Sequence, residues 1–147
     1  MVNGINHIAI AVRSISERGQ FYEKVLGARF AGIEEVPSQK VRVGFFLVGP
    51  EGQHTRIELL EATSEDSPVA RFIAKRGEGL HHIAFAVDDL PARLAELKDK
   101  GVRLVDDEPR PGAHRTAIAF LHPQASGGVL TELCEPVLPL SPEEEKK

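Results

Sequence analysis

Four side chains of the 147-residue chain recur in a fixed order: His7 and Glu58, then His82 and Glu132. The intervals read H-x50-E and H-x49-E. Imidazole and carboxylate together suit a borderline divalent ion such as Co, Ni, Zn, Mn or Fe. Two carboxylates facing inward with nothing between them repel each other and resist ionisation, and a shared cation removes both difficulties. Four protein ligands on an octahedral ion leave two positions open, enough for a substrate that binds through two oxygens. A lone histidine on a strand is more often a core residue with a satisfied ring. Two matched pairs are a stronger signal, and they argue for a metal.

The matching comes from an internal repeat, which is the first thing to seek in a new sequence. NHIAIAVRSI (6–15) aligns with HHIAFAVDDL (81–90) at an offset of 75. Helical stretches follow, RGQFYEKVLG (18–27) and ARLAELKDKG (92–101). VRVGFFLVGP (41–50) then corresponds to RTAIAFLHPQ (115–124), and TRIELLE (55–61) to VLTELCE (129–135). Each half reads strand–helix–strand–strand–strand. The chain is therefore expected to form one domain over 1–136, built from repeats 1–62 and 80–136 with a helical connector at 63–79. Residues 137–147 are expected to form a flexible tail of proline and charge that frays from Pro139.

Local signals place the helices. Ser14 and Glu17 form an S-x-x-E capping box, and Gly27 ends that helix. In SPVARFIAKRG (67–77), Ser67 is the N-cap, Pro68 the first helical residue and Gly77 the stop. Val69, Phe72 and Ile73 give this connector an apolar stripe, while Arg71, Lys75 and Arg76 give it a basic side. Asp89 caps the third helix, with Leu94 and Leu97 on one face and Gly101 at its end. The strands alternate. Ile8, Ile10 and Val12 oppose His7, Ala9 and Ala11; Ile83, Phe85 and Val87 oppose His82, Ala84 and Ala86. Glu58 and Glu132 alternate with bulky residues in the same way. The bulky faces are expected to cover the helices, and the small-residue faces to carry one His and one carboxylate per half. Two related sheets packed as a curved pair would then gather all four in one cleft. His81 is expected to face away from His82, with His54 and His122 in turns.

The formal charge of −4 and pI near 5.9 argue against nucleic acid or an anionic membrane as the partner. No apolar run approaches the roughly 20 residues of a membrane span, and the N-terminus carries no basic region of a signal peptide. Cys134, the single cysteine, permits no internal disulfide and reads as a small buried hydrophobe. A cytoplasmic location follows.

With these residues in view, the chain resembles the methylmalonyl-CoA epimerase family of the vicinal oxygen chelate (glyoxalase/bleomycin resistance/dioxygenase) superfamily. The segments that carry the resemblance are EEVPSQKV (34–41), SEDSPVARFIAKRGEGLHHIAF (64–85), GVRLVDDEPRPGAHR (101–115) and AFLHPQASGGVLTELCE (119–135). It implies an α+β fold in which paired βαβββ modules form a curved open mixed sheet around a metal cleft. It also implies a homodimer, a CoA thioester substrate and a divalent ion, Co2+ before Zn2+, Mn2+ or Ni2+. His7, His82 and Glu132 match the family's metal ligands, and Glu58 stands where some members have Gln. Val43 departs from the pattern, standing where some bacterial members have a Glu that serves as one of two acid/base groups.

The implied reaction removes the proton on C2 of methylmalonyl-CoA and returns it to the other face through a metal-stabilised enolate. Glu132 is the first acid/base group. Glu34, Glu35, His114 and a water are candidates for the second. Gln39 resembles a position near the substrate. Arg71, Lys75, Arg76 and Arg115 are candidates for the CoA phosphates, and His114 for the cleft mouth. The alternative in the same superfamily is a glyoxalase I-type lyase acting on a glutathione hemithioacetal. An extradiol-type dioxygenase and a non-catalytic binding protein are weaker rivals, the first because Glu58 crowds an oxygen site, the second because all four ligands are kept.

Overall fold

A computed structural model describes residues 2–136; the tail at 137–147 lies outside the described residues. The first half contains β1 (Val2–Ala11), α1 (Ile15–Gln20), β2 (Arg29–Val36), β3 (Val41–Val48) and β4 (Thr55–Ala62). After α2 (Pro68–Arg76) the order repeats as β5 (Gly79–Val87), α3 (Leu90–Asp99), β6 (Arg110–Gly112), β7 (Thr116–Leu121) and β8 (Thr131–Pro136).

All eight strands form one curled, open, mixed sheet in the order β2-β3-β4-β1-β5-β8-β7-β6. The halves therefore join edge to edge rather than packing as two sheets. β1 and β5 run antiparallel at the centre, and each is flanked by a parallel strand of its own half, β4 or β8. This joining is favoured because it gives each half's first strand a hydrogen-bonded neighbour on both sides and leaves no edge exposed mid-molecule.

The faces divide as alternation predicts. On the convex side α1 packs on Val12, Phe46 and Leu59, with Ile10 and Ile57 beside them. α3 packs through Leu90 and Leu94 on Val87, Ala119 and Leu133. Gly19 and Gly44 permit the close approach of α1: a Cβ on Gly44 would meet Ile15 Cγ2 at 2.7 Å, and one on Gly19 would meet Phe46 Cζ at 2.7 Å. The concave side belongs to α2, whose Val69, Phe72 and Ile73 lie against Ala9, Ala11, Val43 and Leu60. Cys134 is fully buried beside Ala84, Ile118 and Phe120, and burial pushes its thiol up to about 12, so it is an inert core residue.

The caps fall where the sequence puts them. Ser14 Oγ accepts from Glu17 N–H at 3.2 Å, Ser67 Oγ from Val69 N–H at 3.2 Å, and Asp89 Oδ1 from Ala92 N–H at 3.2 Å. Two features are not visible in the sequence. After Gln20, α1 widens into a π-helical turn over Phe21–Val25 before Gly27 ends it. At α3, Glu135 of β8 accepts from the backbone N–H of Asp89 and of Leu90, adding a tertiary carboxylate to a helix start.

Glu78 ties the end of the connector to the first half outside the sheet. Its carboxylate accepts from Arg13 N–H at 2.7 Å and from Arg18 Nε at 2.8 Å, and these hydrogen bonds, the backbone one first, hold it below the usual carboxylate range. A depressed carboxyl pKa stabilises the fold above its unfolded value, and that contribution is lost as pH falls through the folded one. Glu78→Gln is expected to lower the melting temperature by a few degrees at pH 7, on the scale of one charged hydrogen bond. The variant and wild type should converge as the pH drops below the carboxylate range, which thermal melts across pH 3 to 8 would measure.

Candidate active site

The sheet register builds the site from two adjacent rungs. Ala9 on β1 pairs with Glu58 on β4 and with His82 on β5. Ala84 on β5 pairs with His7 on β1 and with Glu132 on β8. Each alanine is fully buried between a histidine and a glutamate, and a larger side chain there would fill the space in which the polar groups meet. Phe45 extends one rung beyond Glu58, and Phe120 extends the other beyond Glu132, so an aromatic wall closes both ends. The four polar residues are 3–5% exposed.

Three of them converge. His7 Nε2 lies 3.2 Å from His82 Nε2, and His82 Nε2 lies 3.0 Å from Glu132 Oε2. Glu132 Oε1 is 3.8 Å from His7 Nε2. Glu58 stands on the other side of the His7 ring: its Oε2 is 3.1 Å from His7 Nδ1 and accepts from Arg56 Nε at 2.9 Å. Joining the other three requires the Glu58 carboxylate to turn from Arg56.

Burial drives the electrostatics. Desolvation, helped by the charges of His82 and Arg56, pushes His7 down to about 2, so its ring is neutral and offers a lone pair at pH 7. Desolvation raises Glu58 to about 7 despite Arg56, which pulls the other way. The donor set fits a divalent ion. Two imidazole nitrogens and a buried carboxylate oxygen lie within 4.8 Å of one another. The His7 and His82 rings at 3.2 Å make at most one hydrogen bond, whereas a shared cation uses a lone pair from each ring and the carboxylate charge.

His81 differs from expectation. It does not face away from His82; the two Nδ1 atoms are 2.8 Å apart. The cause is a β-bulge. Ala9 pairs with His82 and Ile10 with Leu80, leaving His81 as the extra residue, and a bulge re-aims its side chain. Asn6 holds the equivalent place in the first half, skipped between the pairs Ile5–Phe85 and His7–Ala84. Its Oδ1 is 2.8 Å from His7 Nδ1. Sequence reasoning missed Asn6, Arg56 and the placement of His81, because strand periodicity carries no mark of a bulge.

A cavity of about 280 Å³ opens against this cluster, walled by Val36, Val41, Val43, Leu60, Val69 and Phe120. Gln39 also lines it, with Nε2 donating to Pro111 O at 3.2 Å. A neighbouring cavity of about 390 Å³ shares His81, His82 and Leu130 with the first and adds Arg71, Phe72, Lys75 and Arg76. The Arg76 guanidinium sits 5.6 Å from the Phe72 ring centroid. His114 and Arg115 lie elsewhere, in the exposed β6–β7 turn with φ of 58° and 54°. The His114 ring is 5.5 Å from that of Phe45, and a third cavity, of about 230 Å³, joins it to Asn6, His54 and Arg56. Glu34 pairs with Val43 across β2 and β3, so both point to the concave face, and its Oε2 accepts from His114 N–H at 2.8 Å. Glu35 pairs with Arg42, 3.3 Å away, on the other face.

An eight-stranded sheet of two βαβββ halves around a His/His/Glu cluster defines a class of metal-using enzymes. The profile of the Glyoxalase/Bleomycin resistance protein/Dioxygenase superfamily matches residues 6–120. The uncharacterized Bacillus subtilis protein YqjC is 47% identical over 135 residues, covering 92% of this chain and 94% of its own. The human mitochondrial methylmalonyl-CoA epimerase is 39% identical over 130 residues, covering 88% and 72%. A solved structure of a variant Streptomyces coelicolor methylmalonyl-CoA epimerase, in complex with 2-nitronate-propionyl-CoA, superposes with a TM-score of 0.87 at 40% identity, covering 97% of this chain and 100% of that one. The chain belongs to that superfamily and, within it, to the methylmalonyl-CoA epimerase family, which are enzymes of the isomerase class. The glyoxalase alternative is not favoured.

Metal binding makes a direct prediction for stability. A ligand that binds only the folded state, at 100 times its Kd, stabilises by about 2.7 kcal/mol. Metal-free protein resupplied with Co2+ is expected to gain this in thermal melts, and His82→Ala to gain none. A melting curve indifferent to the ion in wild type would remove the metal site.

Proposed function

We propose that the protein interconverts the (R) and (S) epimers of methylmalonyl-CoA by moving the proton on C2. The observation that carries this reading is a buried carboxylate, Glu132, set with two imidazoles against an apolar cavity. C2 lies between a thioester and a carboxylate, so losing its proton puts charge on the thioester oxygen beside a charge already present. A divalent ion held by His7, Glu58, His82 and Glu132, with Co2+ preferred over Zn2+, Mn2+ or Ni2+, supplies Lewis-acid stabilisation of that charge when bound.

The chain's own residues do the rest. Glu132 takes the proton from one face of C2. Val36, Val41, Val43 and Leu60 wall the other side of the cavity with apolar surface that keeps bulk solvent out, which strengthens every charge interaction inside it. The proton must return to the opposite face. Val43 cannot donate one, and Glu35 is on the wrong side of the sheet. Glu34 shares the concave face with Val43, and a single water between Glu34 and C2 would relay a proton from the Glu34 carboxyl to the second face. Gln39 can donate to a substrate oxygen from the cavity wall. Arg71, Lys75 and Arg76 supply positive charge for the CoA phosphates in the adjoining cavity, with His114 and Arg115 further off at the β6–β7 turn. No helix of the described residues is long and apolar enough to cross a membrane. We place the enzyme in the cytoplasm as a homodimer.

Epimerisation of one methylmalonyl-CoA epimer in D2O at saturating Co2+ tests this reading. Inversion with deuterium at C2 is expected in wild type, and Glu132→Gln should slow it by roughly 10²–10⁴-fold, the worth of a positioned acid/base group. Deuterium uptake without inversion would leave the protein with one working face. An absence of exchange with the ion bound would overturn the epimerase reading and favour methylglyoxal with glutathione as substrate.

A further inference from the structure

We propose that Arg56 and Asn6 are positioning residues that fix the tautomer of His7, holding its proton on Nδ1 so that Nε2 presents a lone pair to the metal. This deepens the reading of His7 as a metal ligand and rests on it.

The argument follows from which groups can only donate. Arg56 Nη2 lies 2.7 Å from Asn6 Oδ1, and its Nε lies 2.9 Å from Glu58 Oε2. A guanidinium carries five N–H donors and no acceptor, so the atom facing it must accept. That fixes the Asn6 amide with its oxygen toward Arg56. The same oxygen is 2.8 Å from His7 Nδ1. An oxygen cannot donate there, so Nδ1 carries the hydrogen, and a neutral imidazole with Nδ1–H has its lone pair on Nε2. Nε2 is the atom that meets His82 and Glu132. Glu58 Oε2, 3.1 Å from the same Nδ1 and itself held by Arg56, is a second acceptor only until it turns to the metal, after which Asn6 Oδ1 is the acceptor that remains. Hydrogen bonds of this kind orient a ligating histidine and raise its basicity.

The sheet is shaped for this contact. Asn6 is the extra residue of a bulge in β1 and is turned toward His7 by it. The Arg56 guanidinium carbon lies over the Phe45 ring, 5.8 Å from its centroid. The second half has no such relay. The positions equivalent to Asn6 and Arg56 are His81 and Leu130, and His82 Nδ1 meets another imidazole instead. The repeat is therefore broken where one histidine is fixed by a donor-only anchor and the other by a ring that can donate or accept.

Nitrogen NMR of metal-free protein with 15N-labelled histidine reads the tautomer directly. His7 is expected as the Nδ1–H form in wild type and in Asn6→Asp, which keeps an acceptor oxygen. Asn6→Ala should weaken Co2+ binding by about 10–100-fold, read from the visible absorption of the bound ion, and Asn6→Asp should restore it. Asn6 is half-buried, and thermal melts of both variants would separate a folding defect from a lost contact. An Nε2–H tautomer in wild type would overturn the proposal, as would unchanged Co2+ affinity in Asn6→Ala. If wild type bound no Co2+ at all, the metal reading would fall, while the tautomer spectrum would still decide the relay.

Discussion

The structure is organised around the cost of burying two carboxylates and two imidazoles in the middle of a sheet. An unpaired charge inside a protein costs several kcal/mol, and two like charges sharing a site cost more. His7, Glu58, His82 and Glu132 are each almost wholly buried. The chain meets that cost with a neutral His7 imidazole, with the Arg56 guanidinium beside Glu58, and with a cluster whose ligand atoms converge as a cation requires. The geometry of the rest follows from holding these groups at this separation.

Small residues make the separation possible. Ala9 and Ala84 lie between the members of each histidine–glutamate pair, and their repeat relationship means that one solution serves twice. The edge-to-edge union of β1 and β5 then sets the two rungs next to each other, so the pairs meet across the pseudo-symmetry axis. Bulky residues on the opposite faces of the same strands hold α1 and α3, which stiffens the sheet from behind. The helix between the repeats crosses to the concave side and walls the cavity there, which explains why the connector is apolar along one stripe and basic along another.

Duplication explains the resemblance of the halves, and the differences between them are concentrated at one sheet edge and around His7. β2 is eight residues long and β6 three, so the second half is cut back at one edge. The β6–β7 turn passes over to the first half, where His114 N–H meets Glu34. Asn6 and Arg56 have no counterparts in the second half.

Much of this was legible in the sequence. The repeat, the strand faces, the caps at Ser14, Ser67 and Asp89, and the four polar residues all follow from periodicity and turn chemistry, which are local and leave a mark on composition. Long-range choices leave none. That the halves share one sheet rather than two depends on the pairing of β1 with β5. The bulges that bring Asn6 and His81 to the site add a residue without changing the alternation one reads along the chain. The turn of Glu58 toward Arg56 depends on which partner lies nearer in space. The sequence by itself determined which groups would be buried together, because hydrophobic patterning dictates what each strand hides. Only the tertiary structure decided how they point, because hydrogen-bond direction is settled by neighbours that are far apart in the chain.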